Sequence, residues 1–119
     1  MPYTHVTGLM VLFKGDGVTA HVLNYGTTLE ATRIRVFANR AGGVLVADSG
    51  DVKITPRTTT ALAHGLTAAD ECWAEIETSS ETLIPMCYFV RPAPSGFQII
   101  SLFRGGDFAT FDPAGKRLW

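Results

Sequence analysis

The stretch "ECWAEIETSSETLIPMCYFV", residues 71–90, decides the fold class. It contains two runs rich in residues that favour extended backbone, separated by the polar segment "SSET". Small or apolar residues alternate with polar ones in the first run, which is the two-residue period of a strand with one buried face. We therefore predict strands over Glu71 to Thr78 and Leu83 to Arg91, paired as an antiparallel hairpin.

The register of this hairpin assigns each residue to a face. With Ala74 opposite Cys87, alternate residues share a small, apolar face that we assign to the core. These core-face residues are Cys72, Ala74, Ile76, Cys87 and Phe89. The opposite face is both charged and aromatic, and it carries Trp73, Glu75, Glu77, Ile84, Met86, Tyr88 and Val90.

The two cysteines are predicted to be buried thiols. In this register they are diagonal neighbours at roughly 7–8 Å, beyond the usual span of a disulfide. A redox pair and a zinc site are the alternatives, but zinc needs about four ligands. Cys72 and Cys87 do not form a CxxC motif, and the three histidines lie in separate segments. We expect no metal and no other cofactor.

The rest of the chain repeats the pattern of short strands and turns. A long strand is predicted over Glu30 to Asn39, with Thr32, Ile34, Val36 and Ala38 facing the core. A first hairpin is predicted from Leu9 to Lys14 and Val18 to Asn24, with "GDG" as its turn.

Eight or nine short strands at roughly ten-residue spacing are typical of an antiparallel β-sandwich, immunoglobulin-like or jelly-roll-like. We therefore predict a single all-β domain over 1–119. Residues 66–71 are predicted to form a loop or one helical turn, and residues 112–119 a polar tail.

Charge and hydropathy exclude several partners. The chain has 10 basic and 11 acidic residues, a net charge of −1, which does not attract nucleic acid or an anionic membrane. The apolar run Leu9 to Phe13 is too short for a signal peptide or a membrane span. Two cysteines are too few for a disulfide scaffold. We expect a cytoplasmic protein without membrane insertion.

The mixed face of the predicted hairpin is the candidate site. Aromatic residues, Met and Arg are enriched in the buried parts of interfaces, so Trp73, Met86 and Tyr88 are candidate contacts, with Glu75 beside them. Alternatively, these side chains pack under a neighbouring loop or against the tail that ends in Trp119. Arg33 and Arg35 share a strand face, and Glu75 and Glu77 would complete their charge pairs if the two strands are neighbours.

No catalytic constellation emerges from the sequence. Nucleophilic catalysis needs a base within hydrogen-bond reach and a group that orients this base. His21 is interpreted as a half-buried strand residue, and His64 precedes Gly65 at a strand end. We predict that the protein is not an enzyme; a cleft that joins His21 or His64 to a carboxylate or thiol would indicate the opposite.

Four segments between about residues 22 and 91 resemble one known family. They are "VLNYGTT", "TRIRVFA", "VKITPRTTT" and "AEIETSSETLIPMCYF". In them the chain is similar to the small bacterial β-sandwich proteins that include the soluble transducer of a cyanobacterial sensory rhodopsin. The resemblance implies a cytoplasmic, oligomeric sandwich that acts by binding a partner. It supplies no functional residues and does not extend beyond Pro92.

The sequence thus favours a non-enzymatic binding or assembly module, homo-oligomeric and able to engage a protein partner. Its candidate contacts are Trp73, Glu75, Met86, Tyr88, Arg33 and Arg35. The alternative is a β-sandwich that binds a small ligand or carbohydrate. In that case Trp73 and Tyr88 would stack on a sugar ring, and Glu75 or Glu77 would bind its hydroxyls.

Overall fold

The chain folds into two antiparallel sheets that pack face to face. The computed structural model describes residues 2–40 and 42–118. The strands of this region are β1 (Tyr3–Val6), β2 (Met10–Leu12), β3 (Gly17–Asn24), β4 (Glu30–Ala38), β5 (Val44–Asp48), β6 (Val52–Ile54), β7 (Thr59–Gly65), β8 (Asp70–Thr78), β9 (Leu83–Ala93), β10 (Gly96–Arg104) and β11 (Ala109–Phe111). The predicted antiparallel β-sandwich is confirmed. Three strands of only three residues, β2, β6 and β11, bring the count above the eight or nine expected.

Sheet A and sheet B divide these strands between them. Sheet A has the order β11-β1-β8-β4-β5, with β2 also paired to β8 and β6 also paired to β4. Sheet B has the order β10-β9-β3-β7. The long strands β3, β4, β8 and β9 occupy the middle of the two sheets, so each of them has one face toward the other sheet and one face outward.

The core lies between the sheets and follows the alternation of these four strands. Thr32, Ile34, Val36 and Ala38 of β4 are all buried, which confirms their predicted orientation. The cysteine-bearing face of 72–89 is also buried, as predicted. Phe89 and Phe108 are the largest fully buried side chains of the described residues, and Phe103 packs between them as an aromatic bridge.

The predicted pairing of 71–78 with 83–91 is wrong. Strand β8 lies in sheet A between β1 and β4, whereas β9 lies in sheet B between β10 and β3. The connection 79–82 therefore crosses from one sheet to the other. The amide of Ser79 donates to the carbonyl of Ala31, and its hydroxyl accepts from the Ala31 amide. These two bonds hold the end of β8 against β4, so the chain cannot fold back on β8 as a hairpin.

The predicted first hairpin is wrong for the same reason. Strand β2 pairs with β8 in sheet A, and β3 lies in sheet B between β9 and β7. The connection between them is a tight turn in which the Asp16 carboxylate accepts a hydrogen bond from the Phe13 amide at 2.8 Å. Both predicted hairpins are thus connections that cross between the sheets.

Residues 66–69 form a short loop that leads directly into β8, which is one of the two predicted alternatives for this segment. Residues 112–118 fold back, since the Leu118 amide donates to the Thr110 carbonyl at 2.7 Å and Phe111 bridges to Arg117. The segment is therefore attached to β11; Trp119 lies outside the described residues.

An ion pair fastens the β2–β3 connection to sheet B. The guanidinium of Arg91, on β9, donates to both carboxylate oxygens of Asp16, with Nη2 at 2.8 Å from Oδ2 and Nε at 3.0 Å from Oδ1. The same guanidinium lies over the ring of Phe13 at 4.8 Å. Asp16 is buried, and its hydrogen bond from Arg91 lowers the pKa of this carboxyl. This pair closes one end of the sandwich.

Substituting Asp16→Asn is expected to lower the free energy of unfolding at pH 7 by about 1–3 kcal/mol, because the partly buried guanidinium of Arg91 loses its counter-ion. Chemical denaturation measures the change, with Asp51→Asn, an exposed carboxylate, as the control. The folded-state pKa of Asp16 lies below its unfolded value of about 3.9, so its contribution is present above that pH and is lost as the pH falls. Equal stability of the two variants at pH 7 would contradict this role.

Candidate functional site

The six predicted contact residues do not form one surface. Four of them lie on the outer face of sheet A: Arg33, Arg35, Trp73 and Glu75. Met86 and Tyr88 lie on the outer face of sheet B, on the far side of the core. The predicted single face is therefore wrong, because it depended on the pairing of β8 with β9. Trp73 and Tyr88 consequently cannot stack on one sugar ring.

The outer face of sheet A is charged, and its arginines Arg33 and Arg35 pair with carboxylates of the same chain. Strands β4 and β8 are neighbours, with Arg33 opposite Glu77 and Arg35 opposite Glu75. Arg35 forms its ion pair diagonally, with Glu77. Arg33 instead binds Asp48 of β5 through two hydrogen bonds, of 2.6 and 3.0 Å. The arginines thus serve the sheet itself.

Hydrogen bonding and burial shift the pKa of two carboxyl groups on this face, in opposite directions. Hydrogen bonding from Arg33 holds the pKa of Asp48 far below its usual range. Glu75 is half-buried, and its loss of solvation raises the pKa of its carboxyl, with Arg35 acting in the opposite direction. Exposed pairs of this kind stabilise by about 0–1 kcal/mol each, so they fix the register of β4, β5 and β8 more than they add stability.

Trp73 packs under a loop. Its ring stacks on Phe37 of the neighbouring strand with centroids 5.3 Å apart and planes 13° from parallel. The β4–β5 connection covers the ring edge at Gly43, where a Cβ would lie 3.2 Å from the indole. Gly43 also has a φ of +87°, which favours glycine. For Trp73 the structure therefore supports packing beneath a neighbouring loop, the alternative to an exposed contact.

The outer face of sheet B is apolar. Tyr88 stacks on His21 with ring centroids 5.6 Å apart, and Met86 lies opposite His21 in the same row. The neighbouring strand β10 places further apolar side chains on this face, since Leu102 is opposite Tyr88 and Ile99 is opposite Val90. The exposed large apolar residues here are Ile84, Phe97, Ile99 and Leu102. We call Ile84, Met86, Tyr88, Phe97, Ile99 and Leu102 the apolar face.

The contribution of β10 was missed from the sequence, although a signal was present. The run "FQIISLF", residues 97–103, has large apolar residues at both odd and even positions. In a two-sheet sandwich a strand buries only the side that faces the other sheet, so a strand that is apolar on both sides leaves one apolar side exposed. A bulge between Ile99 and Ser101 shifts the alternation and leaves Phe103 in the core and Leu102 outside.

A pocket opens at one end of the sandwich, where the two sheets separate. Its volume is about 400 Å³, and residues from β1, β8, β9, β11 and the connecting segments line it. These lining residues are Tyr3, His5, Thr78, Glu81, Leu83, Ile84, Pro85, Gly105, Thr110 and Leu118. We call it the end pocket. Sequence reasoning missed the end pocket, because its lining residues come from segments far apart in the chain.

His5 lies at the polar side of the end pocket. Its two ring nitrogens each lie 3.1 Å from a threonine hydroxyl, Nδ1 from Thr110 and Nε2 from Thr78. Burial lowers the pKa of His5, so the ring is neutral at pH 7. A neutral imidazole has one donor and one acceptor nitrogen, and both are occupied by these hydroxyls.

The cysteines are buried and unpaired. Cys72 and Cys87 are free thiols on opposite sheets, both facing the core. Burial raises the pKa of Cys72 to about 11 and that of Cys87 to about 12. Both are therefore protonated and unreactive at neutral pH. In the described residues no group of three or more His, Cys, Asp or Glu side chains is arranged to hold a metal ion.

Comparisons with known proteins support the fold and go no further. No protein-family model matches the chain, and no curated protein does. A crystal structure of Thermotoga maritima 1070 is similar, with a TM-score of 0.61 at 11% identity, over 95% of this chain and 96% of that one. At this identity the likeness shows a shared β-sandwich fold alone. The resemblance to sensory rhodopsin transducers stays a prediction.

Across 2–40 and 42–118, no helix is long and apolar enough to span a membrane.

The thiols are expected to resist a soluble disulfide reagent in the folded protein. Because both are buried and protonated, 5,5′-dithiobis(2-nitrobenzoate) at pH 8 should react with neither thiol of the native protein. After unfolding in guanidinium, the same reagent should titrate both thiols within the same time. The absorbance of the released thiolate measures both reactions. Rapid labelling of the native protein would show that one thiol is accessible.

His5 is expected to make the fold less stable at mildly acidic pH. The unfolded chain takes up a proton at this residue near pH 6.5, whereas the pKa of the buried ring is lower. The free energy of unfolding should therefore decrease as the pH falls below about 6.5, and less so in His5→Gln. Denaturation curves between pH 7.5 and 5.5 measure this difference, and parallel profiles would contradict it.

Proposed function

We propose that the protein is a non-enzymatic association module: a homo-oligomeric, cytoplasmic β-sandwich that engages a protein partner through the apolar face of sheet B. The observation that carries this proposal is the row of exposed large apolar side chains on β9 and β10. Scattered exposed apolar residues are ordinary, but a contiguous apolar patch is typical of an interaction site. Met86 and Tyr88, the two predicted contacts that lie on this face, are of residue types enriched in interfaces.

The position of β10 supports the same surface. It is nine residues long and is an outermost strand of sheet B, paired on one side to β9 and on the other side to no strand of residues 2–40 and 42–118. Proteins commonly protect such edges with charge, proline or a covering segment. Residues 97–103 of the strand include no charged side chain and no proline, and Arg104, which ends the strand, lies opposite Met86. Its open edge adjoins the apolar face, so one partner can cover both.

A second copy of the chain is the first occupant we assign to this face. Symmetric dimers use one self-complementary patch on both subunits, and an apolar patch with little charge meets this requirement without repulsion. The outer face of sheet A is a poorer choice, because its arginines already pair with carboxylates of the same chain.

Binding rather than catalysis is favoured by the state of the reactive groups. The two thiols are protonated, with raised pKa values, and the imidazole of His5 has both nitrogens engaged by hydroxyls. His21 stacks on Tyr88 within the apolar face. Two free buried thiols also suit a reducing compartment, which supports the proposed cytoplasmic location.

The test is the mass of the protein in solution. Light scattering coupled to size exclusion, at micromolar concentration, is expected to give an oligomer for the wild type. The double variant Ile99→Lys and Leu102→Lys should shift it to monomer, since it buries two ammonium groups from each subunit at a symmetric contact, which strongly disfavours association. A monomeric wild type would contradict the homo-oligomer.

A matched control is available on the other sheet. Val11 and Leu45 lie on the outer face of sheet A and are 61% and 44% exposed, against 59% and 40% for Ile99 and Leu102. The double variant Val11→Lys and Leu45→Lys adds the same charge at side chains of similar exposure, and it should keep the wild-type mass. If only this control dissociates, the interface lies on sheet A; if neither does, the apolar face is not the interface.

A further inference from the structure

The end pocket has the features of a ligand site that is separate from the apolar face. Its volume of about 400 Å³ is within the range of about 300–1,000 Å³ that holds small molecules. It lies where the sheets separate, which is a concave position rather than a flat sheet face. One lining residue, Ile84, also belongs to the apolar face; the others do not.

One side of the end pocket is apolar. Its aliphatic wall consists of Leu83, Ile84, Pro85 and Leu118. Leu83 and Pro85 are buried, and the backbone amide of Leu118 donates a hydrogen bond to the Thr110 carbonyl. This wall is built on strands and on a hydrogen-bonded segment, so it is largely formed before any ligand enters. It suits an apolar ring or short alkyl body.

The opposite side is polar and has a direction. His5 is hydrogen-bonded between Thr78 and Thr110, so one hydroxyl donates to the ring and the other accepts from it. Exchange of the ring tautomer reverses this chain of hydrogen bonds. The polar side can therefore offer a ligand either a hydroxyl donor or an acceptor, without adding charge.

Glu81 supplies charge to the pocket. Within the described residues it is the one charged side chain among those lining the end pocket. Tyr3 also lines the pocket, and its interaction with the Glu81 carboxylate raises the pKa of Tyr3. A carboxylate has about four acceptor positions, so one phenol leaves acceptors for a ligand. Arg104 and Arg117 adjoin Gly105 and Leu118 in sequence but are not among the lining residues.

We propose that the end pocket binds a small organic amine, with its apolar body against Leu83, Pro85 and Leu118 and its ammonium group at the carboxylate of Glu81. A carboxylate facing a half-enclosed apolar cavity favours a cation and disfavours an anion. The hydroxyl of Tyr3, which interacts with Glu81, is a further acceptor for the ammonium group. A neutral alcohol fits the same wall but loses the charge, and an acid is repelled.

Three probes of one shape separate these contributions: benzylamine, benzyl alcohol and benzoate. Each is titrated into the ¹⁵N-labelled protein while the backbone amide shifts are followed. We expect the amides of His5, Thr78, Leu83 and Thr110 to move with benzylamine. At low salt its affinity should exceed that of benzyl alcohol by about two- to fivefold, the range expected for a partly exposed ion pair.

Substitution of Glu81 tests the assignment without disturbing the core, because this residue is exposed. Glu81→Gln should bring benzylamine and benzyl alcohol to equal affinity, and Glu81→Lys should favour benzoate over benzylamine. Glu71→Gln changes the net charge by the same amount away from the pocket and should leave the wild-type order unchanged.

Three results would overturn the proposal. The first is benzylamine shifts that map elsewhere than the pocket lining. The second is wild-type preference for benzoate, which would show that Arg104 and Arg117 dominate the field. The third is an undiminished preference for benzylamine in Glu81→Gln. None of these results depends on the oligomeric state, so the site and the association surface succeed or fail separately.

Discussion

Alternate burial along the four long strands β3, β4, β8 and β9 is the constraint on which the rest of the structure depends. Each of these strands places every second side chain in the single core between the sheets. A slip of one residue would expose the core set and bury the outward set, so register is strongly specified. The same alternation decides what faces solvent: arginine and glutamate on sheet A, and Tyr88 and Met86 on sheet B.

The sequence predicts the strands and their inward residues because both are local properties. The orientation of Thr32, Ile34, Val36 and Ala38 follows from the two-residue period alone. Which sheet a strand joins is a different property, and alternation does not contain it. Two successive strands bury the same residues whether they pair side by side or face each other across the core, so residues 71–90 satisfy both arrangements.

Tertiary contacts decide between those arrangements. Strand β8 matches β4 with Ile76 opposite Ile34 and acidic residues opposite arginines, and the bonds between Ser79 and Ala31 extend that pairing into the connection. At the other end, the bond between Asp16 and Phe13 and the ion pair with Arg91 fix the crossing from β2 to β3. Each of these contacts except the Asp16–Phe13 bond joins residues distant in the chain. A sequence pattern within one segment therefore does not predict them.

The predicted contact residues lie on two different sheets for the same reason, and the two surfaces differ in chemistry. On sheet A, Arg33, Arg35 and Trp73 are each used internally, by Asp48, Glu77 and the Phe37–Gly43 enclosure. On sheet B, the exposed side chains Ile84, Phe97, Ile99 and Leu102 meet solvent, and among the predicted contacts Tyr88 stacks on His21 and hydrogen-bonds its ring at 3.4 Å. A surface that satisfies its own charges gains little from a partner, whereas an exposed apolar surface gains by being covered.

The end pocket is assembled from more distant parts still, since His5 and Thr110 are 105 residues apart in the chain. It shares only Ile84 with the apolar face. A ligand in the pocket and a partner on the face would therefore meet at one side chain. By linkage, a ligand that changes the free energy of association is itself bound with a free energy changed by the same amount in the associated protein. The other lining residues are not part of the apolar face, so Ile84 is the side chain through which the two sites would be coupled.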